Sequence, residues 1–459
     1  MTELLKQKLM NKKIFILGFG MEGRSTYRFL RKLMPDALFS IGDKNIIDPA
    51  DHVFKGDQQI QFHCGDDYLK SISEFDIIIK TPGISLLSVE GADMSKFSSH
   101  TEIFMELFGR QIVGITGTKG KSTTTGLIHH IVSQHTSNTV LVGNIGIPPL
   151  DLTASINSET IIVYELSSHQ LEQVSCSPHI ALLLNLYQEH LDHYKSYEAY
   201  QLAKFNIARF QSKDDVFIYN EDDETLKSLI NANHAEGRKQ GFSFGSPRAA
   251  CFVDEDFVVC SHGGKTRRVV DLSRPRLLIG DHNIMNIMAA VCACAELGIA
   301  DETIEKGVLT FKPLQHRMEF VAEIDGVKYF DDSIATIPEA AIAAARALHP
   351  VGTMILGGFD RGVDYTALCR FLLSSEISNY IFMDEAGVRM RSLYIELGGD
   401  ELKTFQVDSM KEAVLLARKK TAPGKACLLS PAAASYGRYL NFKERGNEFR
   451  KFLTEQDSV

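Results

Sequence analysis

Eight short runs of the chain are apolar almost without a break: "KIFILGFG", "FDIIIKTPG", "QIVGITG", "TIIVYEL", "HIALLLNL", "GTMILGG", "NYIFMD" and "KACLLSP". Gly, Pro or polar residues bound each run, and stretches of helical period separate them. A strand with one wet face alternates apolar and polar residues. A strand that is apolar throughout has both faces covered, as in a parallel sheet between layers of helices. The pattern therefore predicts an α/β chain built on parallel sheets. It divides into three blocks, 1–99, 100–313 and 314–459, with a break at "LTFKPLQHRME". Residues 243–272 alternate more and carry turn residues, which predicts a small antiparallel appendage on the middle block.

Charge and cysteine usage narrow the class. A net charge of -9 argues against a nucleic-acid surface and for a soluble cytoplasmic protein. No apolar run reaches the ~18 residues of a membrane span. The run after "MTELLKQKLMNKK" enters a glycine motif directly, and so reads as a strand and not as a signal peptide. The eight cysteines form no CxxC pair, which predicts reduced thiols and neither zinc site nor disulfide.

Two glycine turns carry chemistry. "GFGMEG" places Gly18, Gly20 and Gly23 in G-x-G-x-x-G spacing between a strand and a helix, with Asp43 closing a second strand. Such a turn brings backbone N–H groups close to a diphosphate at a helix N-terminus, as dinucleotide sites do. Asp43 also suits a turn. The second turn, "GITGTKGKSTTT", departs from the strict Walker pattern, because Ile115 stands where the first Gly belongs. Gly117, Thr118, Lys119, Gly120, Lys121, Ser122 and Thr123 still provide the working parts. N–H groups cradle phosphates, Lys121 reaches the β/γ oxygens, and the Ser122 hydroxyl ligates magnesium. Later strands end in Asn144, Glu165 and His190, with Ser167 and Gln170 close by. Open α/β sheets bind ligands at the carboxyl ends of their strands, so these side chains are candidates to face the phosphate loop.

In this order, "GITGTKGKST", "GNIG", "ELSSHQLE", "NLYQEHLDHY", "GDHNIMNIMAA", "HRME", "DDSIAT" and "LGGFDRGVDY" resemble the motifs of the Mur ligases. These are ATP-dependent amide-forming enzymes of peptidoglycan synthesis. "GFGMEG", "KTPGIS" and the closing "LLSPAAASYGRYLNFKERGNEF" resemble the branch that adds D-glutamate to UDP-N-acetylmuramoyl-L-alanine. The resemblance implies three domains: a Rossmann-like N-terminal domain that binds UDP and not NAD, a central P-loop domain that binds ATP, and a Rossmann-like C-terminal domain that binds the amino acid.

It also implies site residues. Met21, Glu22 and Gly83, above the Gly18–Gly23 turn, match UDP contacts, and Asn144, Gln170 and His190 match positions near the muramoyl-alanine end. Ser122, Glu165 and His190 match metal positions for two magnesium ions. Lys204 would be carbamylated to complete them, although by pattern alone a helical Lys faces solvent. Asn283 and Asn286 match nucleotide contacts, and Arg317 and Asp332 match C-terminal residues that grip ATP. The joint near Pro313 would then act as a hinge. Thr336, Arg361, Ser435 and Phe442 match the amino-acid pocket. Ile334 stands where the D-glutamate branch usually has Lys, which leaves L-glutamate as an alternative acceptor. A folylpolyglutamate-type ligase and a regulatory P-loop ATPase are further alternatives. The partners expected are the UDP substrate, glutamate and ATP, handled by a monomer in the bacterial cytoplasm.

Overall fold

All eight apolar runs form strands: Ile14–Leu17, Ile77–Lys80, Ile112–Thr116, Ile161–Glu165, Ile180–Leu183, Val351–Gly357, Asn379–Met383 and Ala426–Leu429. The computed structural model describes residues 2–86, 89, 91, 93–143, 147–188, 193–312 and 315–454. Pro313, placed by the sequence at a joint, lies outside the described residues. The chain divides into two compact units, Met1–Phe311 and Lys312–Val459.

The first unit contains two sheets. One has five parallel strands in the order Ile60–Cys64, Phe39–Asp43, Ile14–Leu17, Ile77–Lys80, Phe97–Ser99. The other has nine strands, with Ile112–Thr116 paired in parallel to Ile161–Glu165 on one side and Ile180–Leu183 on the other. The expected appendage is present as Cys251–Asp254, Phe257–His262 and Lys265–Asp271. These strands extend the edge of the parallel sheet and do not form a sheet of their own.

Helices Lys121–His135 and Asp281–Glu296 cover one face of this sheet through Leu127, Ile128, Ile131, Ile287, Met288 and Val291. Burying such side chains contributes about 1.5–3 kcal/mol each, which fixes the helix that leaves the phosphate loop. Helix His100–Phe108 is buried over most of its length, and Phe104 shares one core cluster with Ile14 of the first sheet and Tyr164 of the second. That shared core explains why the two sheets form one unit.

The second unit has six strands in the order Glu319–Ile324, Val327–Asp331, Ala426–Leu429, Val351–Gly357, Asn379–Met383, Thr404–Val407. All neighbours are parallel except the first pair. Strands adjacent in sequence, Val327–Asp331 and Val351–Gly357, flank Ala426–Leu429, so the chain order reverses there. Loops at the carboxyl ends of strands around such a reversal form the usual ligand crevice. Among the described residues no helix is long and apolar enough to cross a membrane.

Candidate functional site

The phosphate loop joins Ile112–Thr116 to helix Lys121–His135. Gly120 caps the helix at φ +83°, and a Cβ there would lie 2.4 Å from Asn286 Oδ1, so no other residue fits without displacement. Asn185, which sequence reasoning missed, fastens the loop to the next strand end. Its Oδ1 accepts from the Lys119 N–H at 2.7 Å, its Nδ2 donates to Lys119 O at 3.1 Å, and its carbonyl accepts from the Thr118 N–H at 3.0 Å. Lys121 folds back on the loop, with Nζ donating to the carbonyls of Gly117 and Thr118 at 2.9 Å each. Ser122 and Thr123 are buried in the first helical turn, where backbone N–H groups lack intrahelical acceptors. Asn286 accepts from Thr124 Oγ1 at 3.2 Å and donates to Asn283 Oδ1 at 3.1 Å, so the two asparagines back the loop together.

Lys204 lies beside this loop and away from solvent. Its side chain is 2% exposed on helix Tyr197–Arg209, and Nζ donates to Gly117 O at 2.8 Å. Glu165 is fully buried at the end of its strand, in register with Ile115 at the entry to the loop. Asn144 and His190 lie outside the described residues. Among the described residues no three His, Cys, Asp or Glu side chains gather into a metal cage.

The other glycine turn sits at the carboxyl end of the five-stranded sheet. Gly18, at φ +95°, has no room for a Cβ, which would lie 2.0 Å from Thr81 Oγ1. Gly20 caps helix Met21–Leu33, and Gly23 passes against Gly18 O. Asp43 accepts from the N–H groups of Phe19 at 2.7 Å and Asn45 at 2.8 Å, so its carboxylate holds the turn. Met21 is exposed, and Gly83 borders open space.

Glu22 connects this turn to the middle sheet. Its Oε1 accepts from Gln170 Nε2 at 2.8 Å, while Gln170 and Ser167 cap each other reciprocally. Burial pushes the Glu22 carboxyl up, opposed by the Gln170 bond and the charge of Lys80. Lys80, also missed, is 3% exposed and pairs with Glu172 at 3.6 Å. Burial pulls its ammonium down, and Glu172 and Glu22 oppose that. The signal was available: a Lys ends the otherwise apolar run "DIIIK". Behind Glu22, buried His100 accepts the Leu150 N–H at Nε2 (3.4 Å) and meets Thr26 Oγ1 at Nδ1 (2.9 Å). Thr26 Oγ1 in turn donates to Glu22 O at 2.8 Å. These partners fix the neutral Nδ1–H tautomer, and burial pushes His100 down to about 3.

In the second unit, Arg317 follows His316, whose backbone is left-handed at φ +65°. His316 Nδ1 lies 2.7 Å from Asp331 Oδ2, with both side chains buried. Asp332 accepts from Ser430 Oγ at 2.8 Å and from the Met318 N–H at 3.2 Å. Burial raises its carboxyl to about 7, against the Ser430 bond and the charge of Arg317. Of the four amino-acid-pocket candidates, Thr336, Arg361 and Ser435 stand on loops and Phe442 opens helix Phe442–Thr454. Arg361 Nη2 donates to Thr336 O at 3.1 Å, Ser333 Oγ donates to Phe442 O at 2.8 Å, and Phe359 N–H donates to Ala434 O, next to Ser435, at 2.8 Å. Arg361 is exposed and Ser435 buried. Ile334 is half-buried, its N–H donating to His316 O at 3.1 Å.

Comparison with known proteins gives the family. Residues 115–294 match the Mur ligase middle domain, and residues 316–433 match the Mur ligase glutamate ligase domain. The UDP-N-acetylmuramoylalanine–D-glutamate ligase of Acetivibrio thermocellus is 31% identical over 458 residues, covering 98% of this chain and 97% of that protein. The chain belongs to the Mur ligase family. The like-named protein of Symbiobacterium thermophilum is 36% identical over 399 residues, covering 85% of this chain and 86% of its own. Two solved Mur ligases of Thermotoga maritima share the fold. MurF in complex with ADP has a TM-score of 0.58 at 15% identity, covering 98% of this chain and 96% of that one. MurC, the UDP-N-acetylmuramate-alanine ligase, has a TM-score of 0.57 at 17% identity, covering 96% and 99%.

Proposed function

We propose that the chain is an ATP-dependent ligase that joins D-glutamate to UDP-N-acetylmuramoyl-L-alanine in peptidoglycan precursor synthesis, releasing ADP and phosphate. The observation that carries this reading is similarity along nearly the whole chain to relatives named for that reaction. We divide the chain into a UDP-substrate domain (1–99), an ATP domain (100–313) and an amino-acid domain (314–459). The substrates are cytoplasmic metabolites, and we place a monomeric enzyme there with them.

A carboxylate is a poor electrophile, so the substrate carboxyl first takes the γ-phosphoryl group of ATP and becomes an acyl phosphate. The glutamate amine then attacks, and phosphate leaves from the tetrahedral intermediate. The residues supply position and charge. The phosphate loop holds ATP, with Lys121 swinging from its carbonyl partners to the phosphates. Asn283, Asn286, Arg317 and Asp332 hold the rest of the nucleotide. The Gly18–Gly23 turn, with Met21, Glu22 and Gly83, holds UDP, and Asn144, Ser167, Gln170 and His190 hold the acyl end. Thr336, Arg361, Ser435 and Phe442 receive glutamate, with Arg361 on a carboxylate.

Magnesium arrives with nucleotide phosphates and waters and needs few protein oxygens. The buried Glu165 carboxylate, level with the loop, and the Ser122 hydroxyl suit it. Bound there, two ions would offset the repulsion between phosphates and carboxylate, held by Ser122, Glu165, His190 and Lys204. For Lys204 to serve, its neutral amine adds carbon dioxide and releases a proton, giving a carbamate oxygen ligand. Its burial against the loop carbonyl supports that role.

The test is phosphate release from ATP with UDP-N-acetylmuramoyl-L-alanine present and each amino acid supplied in turn. Release with D-glutamate alone is expected. Preference for L-glutamate overturns the acceptor assignment, release without the UDP substrate favours a regulatory ATPase, and replacement of the UDP substrate by a folate favours the folylpolyglutamate type.

A further inference from the structure

Helix Phe442–Thr454 carries a buried cation that the reaction scheme above does not use. Arg445 is 2% exposed, and its guanidinium reaches three separate loops. Nε donates to Ser333 Oγ at 3.0 Å, and Nη2 to the carbonyls of Ser333 (2.8 Å) and Ala433 (3.1 Å). Nη1 donates to the carbonyls of Ala433 (3.1 Å), Ala434 (3.2 Å) and Gly357 (3.4 Å). Every one of these acceptors is a neutral oxygen. Burying a cation without a carboxylate partner is costly, and a packed apolar side chain fills the same space at lower cost. Burial accordingly pulls the guanidinium down to about 10. Its geometry here ties three loops to one helix.

The three loops are the ones that carry the acceptor candidates. Ser333 precedes Thr336, Gly357 precedes Arg361, and Ala433 and Ala434 precede Ser435. A trans peptide holds its C=O and N–H antiparallel. Carbonyls turned in towards Arg445 therefore turn the N–H groups of Gly358 and Ser435 outward, and neither N–H has an acceptor among the described residues. The helix itself is seated by Gly446, where a Cβ would lie 2.1 Å from His316 Nδ1 and 2.6 Å from Asp331 Oδ2. One turn on, Arg450 pairs with Asp331 at 3.0 Å and with Glu319. Arg445 thus has a fixed base from which to hold the loops.

We propose that Arg445 is the positioning residue of the acceptor pocket, gathering three loops so that their side chains and outward N–H groups meet the carboxylates of the incoming amino acid. This rests on the reading of Thr336, Arg361 and Ser435 as the glutamate site. A planar fork serves all three loops at once, which a Lys point charge does not.

The test compares Arg445→Lys and Arg445→Met with the unsubstituted enzyme, using initial rates against glutamate and against ATP, circular dichroism, and glutamate-free exchange of label between ADP and ATP in the presence of the UDP substrate and phosphate. Arg445→Lys is expected to fold, to raise the glutamate KM about tenfold or more, and to leave the ATP KM and the exchange reaction unchanged. Arg445→Met should show a larger rise of the same kind. Folded variants with an unchanged glutamate KM overturn the proposal, as does an equal rise in both KM values. Should Arg445→Met fail to fold, Arg445→Lys and Ser333→Ala, which removes the Nε acceptor, decide by the same criteria. If the unsubstituted enzyme does not use glutamate, the functional reading fails, and the variants are then read with whichever amino acid it does use.

Discussion

The phosphate loop and the acceptor loops solve one problem in different ways. In the proposed reading, each presents backbone N–H groups to an anion at the carboxyl ends of parallel strands. The phosphate loop does it locally: Gly120 at φ +83° leads straight into the helix, and Lys121 and Ser122 follow in sequence. The acceptor loops come from three distant segments, around residues 333, 357 and 434, and a side chain far along the chain, Arg445, draws them together. A local device is robust and offers little choice of ligand. An assembled one is open to change in any of its parts, which suits the proposed role of these loops in selecting the amino acid. Ile334, where the resemblance places a Lys, bonds to this assembly through its main chain, its N–H donating to His316 O.

The sharpest break between the two regions is expected at Lys121. Lys121→Ala should lower the ligation rate about 1000-fold, since a charge aimed at developing phosphoryl charge is worth roughly that. Binding of the UDP substrate, measured calorimetrically, should persist. Next comes Lys204→Ala, expected to cost about 100-fold, with partial recovery on adding acetate or formate. No recovery together with full folding would leave Lys204 as a buried structural cation on the Gly117 carbonyl.

The same contrast decides what the sequence made legible. Both-faces-apolar strands stand out because central strands must be covered twice, and so all eight were found. Edge strands such as Ile60–Cys64 and Thr404–Val407 are less buried and less apolar, and their runs do not stand out. The phosphate loop was readable because its parts are contiguous. Asp43 was foreseen from its place at a strand end, and its two oxygens each accept a turn N–H there. Asn185, His100 and Arg445 were not foreseen, because their partners lie many residues away and no spacing rule connects them; for Lys80 the sequence marked an unusual buried Lys but not its partner Glu172. Lys204 shows the reverse, a residue whose helical setting points to solvent and whose tertiary position is the loop itself.

On the acceptor side, Arg361→Ala should raise the glutamate KM about 30-fold, near the low end of the 2–5 kcal/mol for a carboxylate partner. The low end is expected because Arg361 is exposed, so solvent screens its charge. The ATP KM should not move. A glutamate KM unchanged in Arg361→Ala would take this side chain out of the pocket and leave the main-chain N–H groups as its chief anion contacts.

The last contrast separates the two units by the sign of their pH response. His100, in the first unit, is held neutral in the fold and pushed to about 3, below the ~6.5 of an unfolded His. Below pH ~6.5 the unfolded chain takes up a proton that the folded chain refuses. Stability from this group is therefore present above pH ~6.5 and is lost as pH falls towards 3, by about 1.4 kcal/mol per pH unit within that window. Asp332, in the second unit, has the opposite sense. Its folded carboxyl is raised to about 7, above the ~3.9 of an unfolded Asp, so the folded chain keeps a proton that the unfolded chain gives up. That contribution is present below pH ~3.9 and is lost as pH rises towards 7, at a similar rate per unit. Denaturant unfolding followed by hydrogen exchange, unit by unit between pH 5 and 7, should show the first unit gaining stability with pH from this source and the second losing it. His100→Gln should flatten the first slope and Asp332→Asn the second. Slopes of the same sign in both units, unchanged by these substitutions, would mean that neither group sets the pH response of its unit.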